Sequence, residues 1–165
     1  MFREQFFATN IYYKDVPNNI DINKDLISKL YDWKKSDPKG ITRSNYQGWH
    51  SGVDMQLRAE YKNIVKEVFN FAEEVFLQEG YHKESFPVVD NMWANISQTH
   101  AYNRIHNHPG CLWSGVYYVQ TPARCGHIVF KDPKFLALQI RPRVDETIPI
   151  EERKKKFKHQ WDQVH

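Results

Sequence analysis

Two of the eight histidines in this 165-residue chain stand at a spacing that can do chemistry. They are His106 and His108, parted by Asn107 and followed at once by Pro109-Gly110. In a strand or its terminal turn, residues i and i+2 project the same way, so both imidazoles can reach one metal ion from one side. Imidazole suits iron, zinc, copper and nickel alike, and a two-histidine site leaves coordination positions open for water, oxygen or a substrate. Because His-x-His pairs also occur in loops that hold no metal, the spacing names a chemistry and leaves the ion open. The other histidines are expected to do less. His50 and His82 flank predicted loops and are read as solvated, and His127 alternates with Val129 as a water-facing residue. His100 lies in the turn before the pair, where it would at most stand behind the ligands. A glycine-rich phosphate loop, a Ser/His/Asp order and a cysteine-nucleophile context are absent, so no catalytic residue separate from the metal site is predicted.

The elements that must position the pair are legible in outline. Gln5–Tyr13 is rich in aromatic and β-branched residues and predicts a strand, and Val16-Pro-Asn-Asn19 is turn chemistry. A first helix follows over Ile22–Lys35, with Ile22, Leu26, Leu30 and Trp33 on one stripe, and Asp37-Pro-Lys-Gly40 stops it. A second helix is marked by Leu57, Tyr61, Ile64, Val65, Val68, Phe69, Ala72, Val75 and Phe76 at three- and four-residue spacing. Gly80 stands just past its end as the expected C′ residue. From Val88 the character changes. Val89–Ser97, Cys111–Gln120 and Gly126–Lys131 read as strands bounded by Pro or Gly, with Ser114, Val116 and Tyr118 alternating against Trp113, Gly115 and Tyr117. Thr121–Gly126 is a short connection, and Asp132-Pro133 closes the last strand. Helices over residues 1–87 and antiparallel strands over 88–165 predict one α+β domain, mainly β, built as a sandwich or jelly roll with both helices on one sheet.

Composition narrows the function classes. With 41% hydrophobic and 15% aromatic residues the chain can build a core, which excludes disorder as a global description. The net charge is +3, and five Lys/Arg against three Asp/Glu in Glu151–His165 account for two of those charges. No dominant basic face is implied. Arg153-Lys-Lys-Lys156, with Phe157, Lys158 and Trp161, could touch nucleic acid, but Glu151, Glu152 and Asp162 dilute it into an ordinary solvated face. Cys111 and Cys125 cannot form a disulfide framework or a cysteine zinc site unaided, and reduced thiols are expected. No apolar run approaches the roughly 20 residues of a membrane span, and Met1-Phe-Arg-Glu-Gln5 lacks a signal-peptide core. The expected setting is the cytoplasm, that of the host if the source is viral.

Taken together, several motifs resemble a family of Fe(II)/2-oxoglutarate-dependent oxygenases of marine bacteria and their phages. They are Arg43-Ser-Asn-Tyr-Gln-Gly-Trp-His-Ser51, Trp93-Ala-Asn95, Asn103-Arg-Ile-His-Asn-His-Pro109, Ser114-Gly-Val-Tyr-Tyr-Val119 and Gly126-His-Ile-Val-Phe-Lys-Asp-Pro133, with Phe6–Tyr12 similar to the opening strand. The resemblance implies a double-stranded β-helix with helices buttressing one sheet, Fe(II) as cofactor and 2-oxoglutarate as cosubstrate. Such enzymes hold iron with His-x-Asp/Glu and a distal histidine. Here His106 and His108 would be metal ligands, with His108 in the carboxylate's place, which lowers the ligand charge by one. Tyr118 is the implied contact to 2-oxoglutarate, with Asn103, and more weakly Asn95, ordering the site. The implied reaction couples decarboxylation of 2-oxoglutarate to succinate and CO2 with hydroxylation of an unidentified C–H bond.

One part of that pattern is missing from the sequence. After Pro133 come Phe135–Ile140 and a charged stretch, with no Gly-x-Leu-x-x-Phe-Pro strand followed by His and Arg. His159 and His165 lie too early to stand in for the distal ligand. The expectation is therefore a jelly roll incomplete at its C-terminus, either part of a longer protein or completed by a partner chain. An alternative keeps the fold as a non-catalytic, cupin-like metal or small-molecule binding protein. The expected partners are the small-molecule cosubstrate and an unknown substrate, with no membrane, nucleic acid not expected and a homodimer left open.

Overall fold

Apolar residues at Ile22, Leu26, Leu30 and Trp33 recur on one side of an α-helical turn, and the chain folds accordingly. In the computed structural model, which describes residues 9–82, 84–123 and 125–131, α1 spans Asn19–Ser36 and buries Leu26, Leu30 and Trp33. Asp21 in its first turn and Lys34 and Lys35 in its last complement the helix dipole. The stop at Asp37 is closed by the Asp37 N–H donating to Trp33 O at 2.9 Å. Gly40 then takes a left-handed φ of 55°, and a Cβ there would meet His50 O at 2.3 Å. Only glycine allows the chain to pass so close to the strand it serves.

The second helical pattern divides where Leu57 had been placed on the buried stripe. Met55–Leu57 and Ala59–Tyr61 are single 3₁₀ turns, and α2 spans Lys62–Gln78. Leu57 is therefore off the stripe and exposed, whereas Tyr61, Ile64, Val75 and Phe76 are buried. The reason is the tighter pitch of the turns, which rotates position 57 away from the face that α2 presents. The end of α2 is a Schellman motif about Gly80 (φ 75°). Gly80 N–H donates to Leu77 O at 3.1 Å and Tyr81 N–H to Phe76 O at 3.3 Å. The rings of Phe76 and Tyr81 meet at 4.8 Å, the apolar contact that accompanies this cap.

The β structure is shorter than the sequence pattern suggests and partly elsewhere. β1 (Asn45–Tyr46) pairs antiparallel with β4 (Tyr102–Asn103), and β2 (Trp49–His50) with β3 (Asn95–Ile96). These form one ribbon in which residues 47–48 lie opposite residues 97–101. Main-chain bonds extend it at both ends, Arg104 N–H to Ser44 O at 2.8 Å and Ser51 N–H to Ala94 O at 3.0 Å, and past the latter Asp54 and Met92 form an isolated parallel bridge, with Met55 N–H donating to Met92 O at 3.0 Å. Tyr46 and Tyr102, directly opposed, meet at 4.9 Å between ring centres, the kind of cross-strand pair that sets register.

Of the expected strands, Val89–Ser97 is realised only at Asn95–Ile96, and Thr9–Tyr13, Cys111–Gln120 and Gly126–Lys131 carry no strand pairing. Residues 5–8 of the first and the jelly roll's expected later strands lie outside the described residues. The alternation over 113–119 was nonetheless legible as a burial pattern. Trp113, Tyr117 and Val119 are half-buried, while Ser114, Val116 and Tyr118 are exposed. Alternation encodes which side is apolar; a ladder also needs a second edge at hydrogen-bonding distance.

The core joins α1 to this ribbon. Leu26, Leu30, Trp33, Trp49, Met55, Tyr61, Ile64 and Ala94 form one buried cluster, against which Val65, Val68, Tyr117 and Val119 pack. Trp33 lies edge-on to Trp49 at 6.0 Å and tilted on Tyr61 at 5.5 Å. Burial drives the Tyr61 phenol's pKa up to about 12, with Glu60 adding to the shift, so its hydroxyl stays protonated and donates to Lys29 O at 3.3 Å. Over the described residues the architecture is thus α+β, with two helices and short antiparallel pairs. The chain divides into two units, Met1–Thr121 and Pro122–His165, and all the contacts above lie in the first. Among the described residues no helix is long and apolar enough to cross a membrane.

Candidate metal centre

The ribbon delivers the histidine pair. β4 ends at Asn103, Arg104 is still tied to Ser44, and His106 and His108 follow within the next four residues. Their ring centres lie 4.9 Å apart with planes tilted by 43°, so the i, i+2 spacing has brought both imidazoles to one side. Two imidazoles sharing an ion at about 2.1 Å would place their ring centres roughly 4.6–5.3 Å apart, for angles of about 90° to 109° at the ion. The observed separation falls in that interval.

His106 is prepared for a ligand in a second way. Its Nδ1 lies 2.6 Å from Arg104 O, and since a carbonyl only accepts, Nδ1 must carry the proton. The lone pair then resides on Nε2, the tautomer that metal-binding histidines adopt when their other nitrogen donates to a backbone carbonyl. His106 is exposed and His108 half-buried. Among the described residues no group of three His, Cys, Asp or Glu side chains is placed to hold a metal ion. The donor set fits two ligands of a site, both neutral.

His108 is held in a cluster of rings, one member of which was misjudged from sequence. Trp93 stacks on His108 at 5.5 Å with planes 7° apart, and His50 also stacks on Trp93, at 5.4 Å and 10°. His50 was expected in solvent; it is 4% exposed, because it sits on β2 and the β2–β3 pairing turns it inward beside Trp93. The missed signal was the Trp49-His-Ser51 run, which is the strand facing Met92–Ile96 rather than a loop. His82, His100 and His127 are exposed, as expected for two of them and consistent with the turn assigned to His100.

Burial lowers the pKa of His50, helped by Arg43, against an opposing hydrogen bond from its Nδ1 to Ser51 O at 2.6 Å. The unfolded chain therefore takes up a proton on His50 at a higher pH than the folded one does. Its effect on stability is absent above the usual histidine pKa of about 6.5 and grows as pH falls through it toward the lowered folded value. Denaturant midpoints are thus expected to fall from pH 7 to pH 5, with a shallower fall in His50→Phe. Parallel pH profiles for the two proteins would contradict this.

Ser51 locks the strand that carries His50. It is fully buried, its Oγ donates to Gly52 O at 2.7 Å and accepts the Ala94 N–H at 2.9 Å. Ser51→Ala would leave that buried amide without a partner, and a loss of about 1–3 kcal/mol is expected, measurable by urea denaturation.

The other predicted site residues are placed apart from the pair's contacts. Asn103 is exposed on β4, where its Oδ1 accepts from Ser44 Oγ at 3.5 Å. Tyr118 is 55% exposed and makes neither a hydrogen bond nor a ring contact with His106 or His108. Its neighbour Tyr117 faces the core and donates to Asn23 Oδ1 at 2.6 Å, which ties the 113–119 segment to α1. Asn95 is exposed in β3.

The pair lies within a recognisable stretch. Residues 91–163 match the model of a family described as a putative 2OG-Fe(II) oxygenase. The histidine-bearing stretch is similar to an oxygenase family. The match begins just before Trp93 and includes Asn103, His106, His108 and Tyr118, so the matched stretch holds every predicted site residue. His50 and the Arg43–Ser51 motif lie N-terminal to it, joined to it by β1–β4 and β2–β3. No curated protein and no solved structure matches the chain.

Proposed function

We propose that the protein is an Fe(II)- and 2-oxoglutarate-dependent dioxygenase, or the part of one that carries two metal ligands, His106 and His108, on a jelly-roll framework. The observation that carries this reading is the adjacency of the two imidazoles, 4.9 Å apart, within the matched stretch. When bound, Fe(II) with 2-oxoglutarate supplies oxidative chemistry that an amino-acid side chain cannot: oxygen is activated as the cosubstrate loses CO2 and a substrate C–H bond is hydroxylated. The protein's own task is to bind, orient and shield.

In this reading His106 offers Nε2 while Arg104 O keeps its Nδ1 protonated, and His108 offers its ring from the stack on Trp93. Both ligands are neutral, so the site carries one negative charge fewer than a His/carboxylate set, which favours an anionic cosubstrate beside the ion. Tyr118, exposed on the side of its segment opposite Tyr117, is the proposed hydroxyl contact to 2-oxoglutarate, with Asn103 ordering the approach. Two free and exposed thiols, Cys111 and Cys125, suit a reducing cytoplasm.

Succinate released from 2-oxoglutarate tests the proposal. It should require Fe(II) and oxygen together, and should be lost in His106→Ala and in His108→Ala. Succinate release that ignores either substitution, or none from the unaltered protein, would contradict it.

A further inference from the structure

Trp93 occupies a position that a merely space-filling residue would not need. Two imidazoles stack on it in near-parallel planes, His50 at 5.4 Å and His108 at 5.5 Å. His108 in turn lies 4.9 Å from His106. The buried end is rigid. His50 is 4% exposed, its Nδ1 is bonded to Ser51 O, and Ser51 is bonded on both sides to Ala94, the residue after Trp93. The outer end is a half-buried imidazole on a segment with no strand pairing of its own. Offset stacking of aromatic planes is favourable beyond the area it buries and fixes ring orientation.

We infer that Trp93, backed by His50, is a positioning residue for the metal pair. By stacking on His108 it holds that ring in the attitude from which it and His106 can share one ion. This rests on the reading of His106 and His108 as ligands. It also gives a physical reason for an imidazole at position 108, since a carboxylate offers no ring to stack. A further consequence is that metal affinity depends on the N-terminal ribbon. His50 lies outside the matched stretch and reaches the site only through the β2–β3 pairing.

The test uses Co(II) as the probe metal, titrated anaerobically into the full chain, together with the proton NMR shifts of the His108 ring in the metal-free protein. In the unaltered protein those ring protons should be displaced upfield by the indole. Trp93→Leu should return them to ordinary values and weaken Co(II) binding by about 10- to 100-fold, the range seen when groups behind metal ligands are removed. Trp93→Phe, which keeps a ring for the imidazoles to stack on, should restore most of the affinity. His50→Leu should weaken binding in the same direction and by less. Circular dichroism of each variant guards against unfolding as the cause.

Co(II) binding that is abolished by His106→Ala yet equal in Trp93→Leu and the unaltered protein would overturn this inference alone. So would Trp93→Phe binding no better than Trp93→Leu. Co(II) binding indifferent to His106→Ala would overturn the ligand reading first, and this inference with it.

Discussion

Replacing His106 with alanine is expected to abolish Fe(II) binding while leaving the fold intact. The side chain is exposed, and its one hydrogen bond, to Arg104 O, is local. Surface substitutions of that kind usually alter stability by no more than about 0.5 kcal/mol. The metal effect is of another order. Of the two neutral donors brought together, His106 is the one whose tautomer is fixed with Nε2 free, and a single imidazole has no chelating partner. An anaerobic Fe(II) titration should show at least a hundredfold loss of affinity, with an unchanged denaturant midpoint. Retained affinity would mean that the metal, if it binds at all, binds elsewhere.

The largest expected loss of stability is at Trp33. Its ring is 7% exposed, lies edge-on to Trp49 and tilted on Tyr61, and is capped by the Arg58 guanidinium at 3.7 Å. Trp33→Ala removes the α1 side chain on which β2 and the turn before α2 both pack, in a core of few buried side chains. Truncations of this kind cost about 3–5 kcal/mol, a large share of the roughly 5–15 kcal/mol typical of a domain. Urea unfolding should show the midpoint falling steeply at an unchanged slope. Because the cluster His50–Trp93–His108 is anchored through β2 beside Trp49, the same variant should also weaken metal binding. A midpoint within about 1 kcal/mol of the unaltered protein would show that the core lies elsewhere.

Helices and caps were the readily legible part of the chain. The stripe from Ile22 to Trp33 and the glycine at position 80 are local signals, written within a few residues of the structure they specify. The histidine pair was legible for the same reason, since i and i+2 need only an extended backbone to converge. What lay beyond reach was the pairing of Ser44–Met55 with Met92–Arg104, two segments about 50 residues apart whose strands are only two residues long. No run of that length carries a recognisable period, and a register set by Ser51 Oγ, by Gly40's close approach and by Tyr46 against Tyr102 is visible only once the segments meet. The misreading of His50 follows directly. A histidine beside a predicted loop is ordinarily wet, and only the long-range pairing buries it against Trp93. At Cys111–Gln120 the opposite held: alternation told which side faces the core, but not whether a neighbouring strand would be there to complete a ladder.

The central claim is that His106 and His108 bind one iron that in turn engages 2-oxoglutarate. Anaerobic Fe(II) titration of the unaltered chain, with and without 2-oxoglutarate, addresses it most directly. The account predicts one Fe(II) per chain, bound more tightly when 2-oxoglutarate is present, with both features absent from the His106→Ala/His108→Ala double variant. Fe(II) affinity that is the same in the two proteins, or that 2-oxoglutarate leaves unchanged, would contradict it.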